Sequence, residues 1–314
     1  LCALARHCPQ GGSLQFYHLR QDHWERCRSF PRFQVWVAEQ AGQIVGAASL
    51  AFKKVWIAGQ LQPVVYLFDR MVHPRFRRQG IGRALLQQEL AQTSGAMLHY
   101  GLVLEDNQAN RGLLEGAGFC RLPHPLVYLA LLPQRRRTAG PPIRVAEPIA
   151  RDHARLLDRY LRPRYGMMDQ TAQCGMASLL LGEPEPAAGG ILYRHGWKVV
   201  TRAPWYLRWA SRWFGLLPRL GQPVRSWVLG HVWYRDRSAL ASFLGQVGHL
   251  AADAGAHVVL MPVAGNDPRL PDFCRLTLHA WGVPAARLLV YVRGPLAQTL
   301  VHSPLPFLPS PRDG

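Results

Sequence analysis

The residues best able to do chemistry are Arg77-Arg78-Gln79-Gly80-Ile81-Gly82-Arg83. Two glycines let a backbone approach a ligand closely, and the first amides of a following helix have no partner within it. The flanking arginines add to the positive end of the helix dipole, so the stretch suits an anion of the pyrophosphate kind. A basic helix cap without a ligand is the competing reading. A second group is acid–base: Tyr66, Asp69 and Glu105 lie close to this turn in the chain. Strand alternation puts Tyr66 and Asp69 on opposite faces, which would keep them out of one pocket. A phenol of ordinary pKa, about 10, is a poor base at neutral pH. A half-buried strand tyrosine and an Asp69 paired with the nearby arginines are the plainer alternatives.

The elements that must position these groups are legible around them. Val64 to Val72 is apolar, β-branched and aromatic, a strand that His73-Pro74 stops. Apolar residues at helical spacing follow over 84–90. Before this, residues 34–39 and 44–56 form strands joined by a turn at 40–43. After it come a strand over 97–104, a short helix that Asp106 or Asn107 caps, and a strand over 126–132. Residues 1–33 read as helix and loop.

Arg77-x-x-Gly80-x-Gly82 after a Val72-His73-Pro74 strand end resembles the acetyl-coenzyme-A motif of the GNAT N-acyltransferases. The segment from Asn107 to Gly118-Phe119 resembles that superfamily's next motif, which packs along the pantetheine arm. The resemblance implies an α/β fold of mixed sheet and flanking helices, with acetyl-CoA as co-substrate, no metal, and an amine-bearing acceptor. It also implies roles. The amides of Arg70 and Val72 would hold the thioester carbonyl and pantetheine. Those of Arg78, Gln79, Gly80, Ile81, Gly82 and Arg83 would hold the pyrophosphate, with Arg77 at the first motif position and Asn107 on the arm. Tyr66 stands where many members carry a catalytic glutamate, and Leu114 where many carry a tyrosine that protonates the thiolate, leaving water or Tyr100 for that task, or a thiolate that departs unassisted. Val72 to Gly82, the Asp106-Asn107-Gln108-Ala109 turn and Val263 to Pro268 are further similar to the plant Hookless-type acetyltransferases.

A basic, Pro/Gly-rich linker over 134–142 separates residues 1–133, the acetyl-CoA-binding domain, from 143–314. The second part repeats the strand–helix–strand–turn–helix–strand order with strands near 227–234, 258–263 and 288–292 and a helix over 238–254. It lacks the glycine turn, since Arg235-Asp236-Arg237-Ser238 stands in its place. A degenerate GNAT-like domain is expected there, and the chain's start at Leu1 suggests that a first strand is missing.

Composition narrows the class. An apolar content of 48% fits a globular chain, and no apolar run reaches membrane-spanning length. The net charge of +18 favours anionic partners, coenzyme A and acidic surfaces among them. Six cysteines without CxxC spacing fit reduced thiols and a cytoplasmic setting. The thirteen histidines show no ligand spacing, so no metal is expected. Trp205, Trp209 and Trp213 with Arg208 and Arg212 read as a helix over the second sheet, or as a membrane-surface or acyl-pocket wall. Two other functions remain open: an acyltransferase with a longer-chain or carrier-bound donor, and a non-catalytic acyl-CoA-binding regulator.

Overall fold

The computed structural model describes residues 1–134, 140–146, 151–169, 176–182, 185–193, 196–205, 208, 219–281, 285–310 and 313. The chain enters through α1 (Cys2–His7), β1 (Gln15–Leu19) and α2 (Trp24–Cys27). It then folds a meander of β2 (Arg32–Gln40), β3 (Gln43–Ile57) and β4 (Gln60–Val72). Two-residue turns, Ala41-Gly42 and Ala58-Gly59, join these strands with positive φ at every central residue. That geometry matches the right-handed twist of the strands and pins their register. Helix α3 (Ile81–Gln92) crosses to β5 (Leu98–Leu104), parallel to β4, and α4 (Gln108–Gly116), β6 (Cys120–Arg121) and β7 (Leu126–Leu131) follow.

Further along come β8 (Ile143–Ala146), α5 (Arg151–Tyr160), β9 (Met167–Asp169), β10 (Met176–Leu181), β11 (Ala188–Tyr193) and β12 (Trp197–Arg202). The long β13 (Pro223–Tyr234) leads through α6 (Arg237–Asp253) to a parallel β14 (Val258–Ala264). Helix α7 (Leu270–Arg275), β15 (Ala286–Arg293), α8 (Ala297–Val301) and β16 (Phe307–Leu308) complete the described elements. All strands join one mixed, 16-stranded sheet, with a main path β16-β9-β3-β4-β5-β15-β7-β14-β13-β11-β10-β8.

The order of that path contains an exchange. β5 pairs not with β7 but with β15, while β7 pairs with β14. Each parallel pair is thus extended by a strand from the other end of the chain. Periodicity identifies β7 and β15 as strands, but both are apolar and antiparallel-competent, so pattern alone does not say which edge each takes. β1, β9 and β10 also escape the sequence pattern. β1 is half-buried throughout and β9 has three residues, too few to display a period.

Helices α3 and α4 pack on one face of β4 and β5, where Leu67, Leu86, Val103, Leu114 and Phe119 share a core. Val64, Tyr66 and Phe68 point the other way, into a second core with Phe30 and Tyr100. β4 therefore has a helix side and an opposite side, and the site uses both. Among the described residues, no helix is long and apolar enough to cross a membrane.

Candidate active site

At the mouth of α3, His73 N–H donates to Val45 at 2.8 Å and fixes the end of β4 against β3. The turn continues through Arg78 and Gly80, with φ of 61° and 81°, and the helix starts at Ile81. Among the described residues, the amides of Arg78, Gln79, Gly80, Ile81, Gly82 and Arg83 find no acceptor; the first amide to do so is Ala84, bonded to the Gly80 carbonyl. A Cβ at Gly80 would meet nothing within 4 Å, and one at Gly82 only Leu113 and Val72 side chains at 3.7 Å. The bend is open, and Arg77, Arg78 and Arg83 are exposed around it. Six N–H groups without an acceptor in a positive field suit an anion.

Beside this bend the sheet parts. β4 and β5 pair from Val64↔Leu98 to Leu67↔Gly101 and no further. Because the His73 amide faces β3, strand alternation turns the Val72 N–H toward the opposite edge, into the gap. The Val72 carbonyl, on that same edge, accepts from Arg77 Nε at 3.2 Å and Cys8 Sγ at 3.3 Å. Arg70 reaches to the helix side, where it binds buried Glu89 at 2.5 Å and Asn110 at 3.4 Å, tying β4 to α3 and α4. Asn107 caps α4 by accepting from the Asn110 amide.

On the opposite side the expected separation of Tyr66 and Asp69 does not hold. A bulge interrupts β4 between its pairings with Ala47 and Ser49, and Asp69 takes a φ of 49°. The extra residue resets the alternation. Arg26 consequently bonds both groups, Asp69 at 2.8 Å and the Tyr66 hydroxyl at 3.2 Å, with its guanidinium over Phe68. Arg20 completes a clamp on Asp69 at 2.5 Å. Burial alone would raise the Asp69 carboxyl, but the two arginines outweigh it and hold it well below the usual carboxylate range. Burial pushes the Tyr66 hydroxyl well above its ordinary value despite Arg26, and this hydroxyl donates to the Asp313 carbonyl. Glu105 is half exposed at the end of β5, 3.7 Å from Arg287, away from both.

Several groups here escaped the sequence reading. Lys53, with no exposed side-chain surface, pairs with Asp169 and with Asp313 at 2.7 Å, and bonds the Tyr100 hydroxyl at 2.8 Å. Tyr100 donates in turn to Asp313, and burial followed by that carboxylate raises its pKa well above normal, so it is a poor stand-in acid. A signal did exist for Lys53. It occupies an inward position, in step with Ala51, Val55 and Ile57, where a lone cation demands a buried partner.

The second half repeats this geometry with its openings filled. β13 and β14 pair only from Ser226↔Val258 to Val228↔Leu260, and β13 bulges at His231, whose φ is 53°. Arg269 bonds the Val232 carbonyl at 3.0 Å, while the Asp236 carboxylate caps α6 at the Ala239 amide, 2.9 Å away. The protein's own carboxylate holds the place at which α3 offers free amides. Of the aromatic–basic stretch, Trp205 is 77% exposed; Trp209, Arg212 and Trp213 lie outside the described residues.

This is the class of α/β proteins built on a parallel strand pair that parts beside a bent helix mouth, here present twice. Residues 31–121 match the family model described as an acetyltransferase (GNAT) domain. Among solved structures, Saccharomyces cerevisiae N-myristoyltransferase with bound myristoyl-CoA is similar over 90% of this chain and 76% of its own, at 12% identity and a TM-score of 0.57. The same yeast protein with myristoyl-CoA and inhibitors gives 11% identity, 90% and 74% coverage, and 0.58. A tandem GNAT protein from the clavulanic acid biosynthesis pathway covers 84% of each chain at 17% identity and 0.49. No curated protein matches the chain by sequence. At such identities the likeness is one of fold.

Proposed function

We propose that the protein is an N-acetyltransferase that moves an acetyl group from acetyl-CoA to an amine by direct attack in a ternary complex. The observation that carries this reading is the run of six unaccepted amides at an open bend, next to a stretch of β4 beyond the end of its pairing with β5. In this reading the pyrophosphate rests on the amides from Arg78 to Arg83 with Arg77 alongside, Arg70 and Val72 offer theirs to the pantetheine and thioester carbonyl, and the Asn107 turn borders the arm. These donors polarise the carbonyl without reorganising during the reaction. No covalent enzyme intermediate is required.

An acetyl donor is favoured over a long chain by what lies at the closed end of the gap. Tyr66 and Tyr100 stack across the two strands with ring centres 4.9 Å apart, and Phe68 and Phe30 extend that wall. A longer chain on this side would lie against Asp69 and its two arginines, an environment that disfavours apolar surface. Tyr66 and Asp69 are both engaged, so they act as positioning groups; the amine loses its proton to water. A thiol of pKa about 8.5 departs without an assigned acid.

A non-catalytic acyl-CoA-binding role is the second reading, favoured by Asp313, which fills part of the face an amine would use. Thiol release from acetyl-, butyryl-, octanoyl- and myristoyl-CoA over a panel of amino acids, polyamines, aminoglycosides and peptides separates the readings. Amine-dependent release confined to the short donors is expected. Release from myristoyl-CoA would transfer the function to the long-chain class, and coenzyme A binding with no release would favour the regulator.

A further inference from the structure

The bulged side of β4 gathers Arg20, Arg26, Lys53 and Lys198 with three buried carboxylates, Asp69, Asp169 and Asp313. Arg20 and Arg26 share Asp69, and Lys53 takes Asp169 and Asp313. All three carboxylates are therefore paired. Lys198 of β12 is left: among the described residues it has no carboxylate within ion-pair distance, and its ammonium lies 5.0 Å from the Phe16 ring centre. β12 pairs with β1, placing His18 opposite Lys198 and leading directly to Arg20. Unlike Lys53, which is buried, Lys198 is a partly buried residue. Burial and the fields of Arg26 and Arg20 lower its pKa to about 7, the cost of a cation kept without a counter-charge.

We propose, resting on the acetyltransferase reading, that the amine acceptor carries a carboxylate and that Lys198 receives it, with Arg20 and Arg26 supplying the surrounding field. The side of the sheet identifies the occupant as acceptor rather than donor. The anion site at α3 belongs with the Leu67 side, where α3 and α4 pack, whereas Arg26 touches Tyr66 and Phe68 on the other. The charge identifies the group. A single ammonium without an ion-pair partner among the described residues matches a monoanion. The Arg20 fork is on Asp69 and the Arg26 fork is divided between Asp69, the Tyr66 hydroxyl and the Asp313 carbonyl, so no free bidentate fork remains for a phosphate dianion. Binding would return the proton to Lys198 and complete the ion pair.

The chain has only three lysines, Lys53, Lys54 and Lys198, which makes lysine reactivity a resolved probe. Trace labelling of the whole protein with acetic anhydride at pH 7, read by peptide mass spectrometry, is run with N-acetylglycine or N-acetylglycinamide; neither has a side chain that could be refused. N-acetylglycine should slow labelling of Lys198 about tenfold, the size of one charge-assisted contact. Exposed Lys54 should keep its rate, buried Lys53 should stay unlabelled, and the amide should have no effect. Equal protection by both compounds, or by neither, overturns the proposal. With glycine and glycinamide as acceptors, Lys198→Met should raise KM about tenfold for glycine alone, and Lys198→Arg should restore part of it. A KM change shared by both acceptors indicates a merely structural lysine. Coenzyme A affinity of Lys198→Met reports separately on the donor site, so failure of either proposal is seen on its own.

Discussion

Asp69→Asn removes one charge from the centre of the bulge while leaving its backbone nearly undisturbed, because Asn tolerates a φ near 49° better than most residues. The substitution leaves Arg20 and Arg26, whose side chains are 9% and 6% exposed, facing a neutral amide. Breaking a buried pair costs about 3–5 kcal/mol. Arg26 keeps the Tyr66 hydroxyl and the Asp313 carbonyl, so the lower end, about 3 kcal/mol, is expected. Equilibrium urea unfolding at pH 7, with the slope checked between the two proteins, measures it. The pH dependence supplies a second reading. Asp69 has a depressed carboxyl in the folded protein, so its contribution is complete above the unfolded value of about 3.9 and declines as the pH falls through and below it. The wild-type advantage should therefore stay level from pH 8 to about 5 and shrink below about 4. A difference under about 0.5 kcal/mol, the scale of surface changes, would refute the double clamp. So would a gap that stays undiminished at pH 3.

Lys53→Met should cost about 3–5 kcal/mol by leaving Asp169 and Asp313 without their shared cation. Because unpaired buried carboxylates take up protons more readily, the deficit in urea unfolding should narrow as the pH falls from 8 to 5. Asp236→Ala should lower the melting temperature through loss of the α6 cap, with coenzyme A affinity unchanged. Calorimetric melting and titration on the same sample check both statements.

How much of the site the chain displays depends on sequence distance. The strand from Val64, the proline stop and the two-glycine helix start lie within thirty residues of one another, and local stereochemistry specifies each. The β2–β3 turn was legible for the same reason. Lys53 and Asp313 stand 260 residues apart, and Tyr66 meets Asp313 across 247, so no periodicity links them. The bulge escaped because alternation assumes an unbroken strand, and Asp69 carries no glycine to mark the defect. The exchange of β7 and β15 escaped because two apolar strands of similar length are interchangeable as patterns. Asp236 is a different case. Its position before Ser238-Ala239 marks a helix cap, and the lack of glycines there already indicated that the second opening is closed.

Titration of the intact protein with coenzyme A, wild type beside Gly82→Glu, bears most directly on the open bend. Gly82 has room for a Cβ, so the variant should fold, but its carboxylate would compete for the amides of Arg78 to Arg83. Loss of phosphate contacts worth about 3 kcal/mol should weaken binding by about a hundredfold. Equal affinity in the two proteins would contradict a pyrophosphate held at this turn.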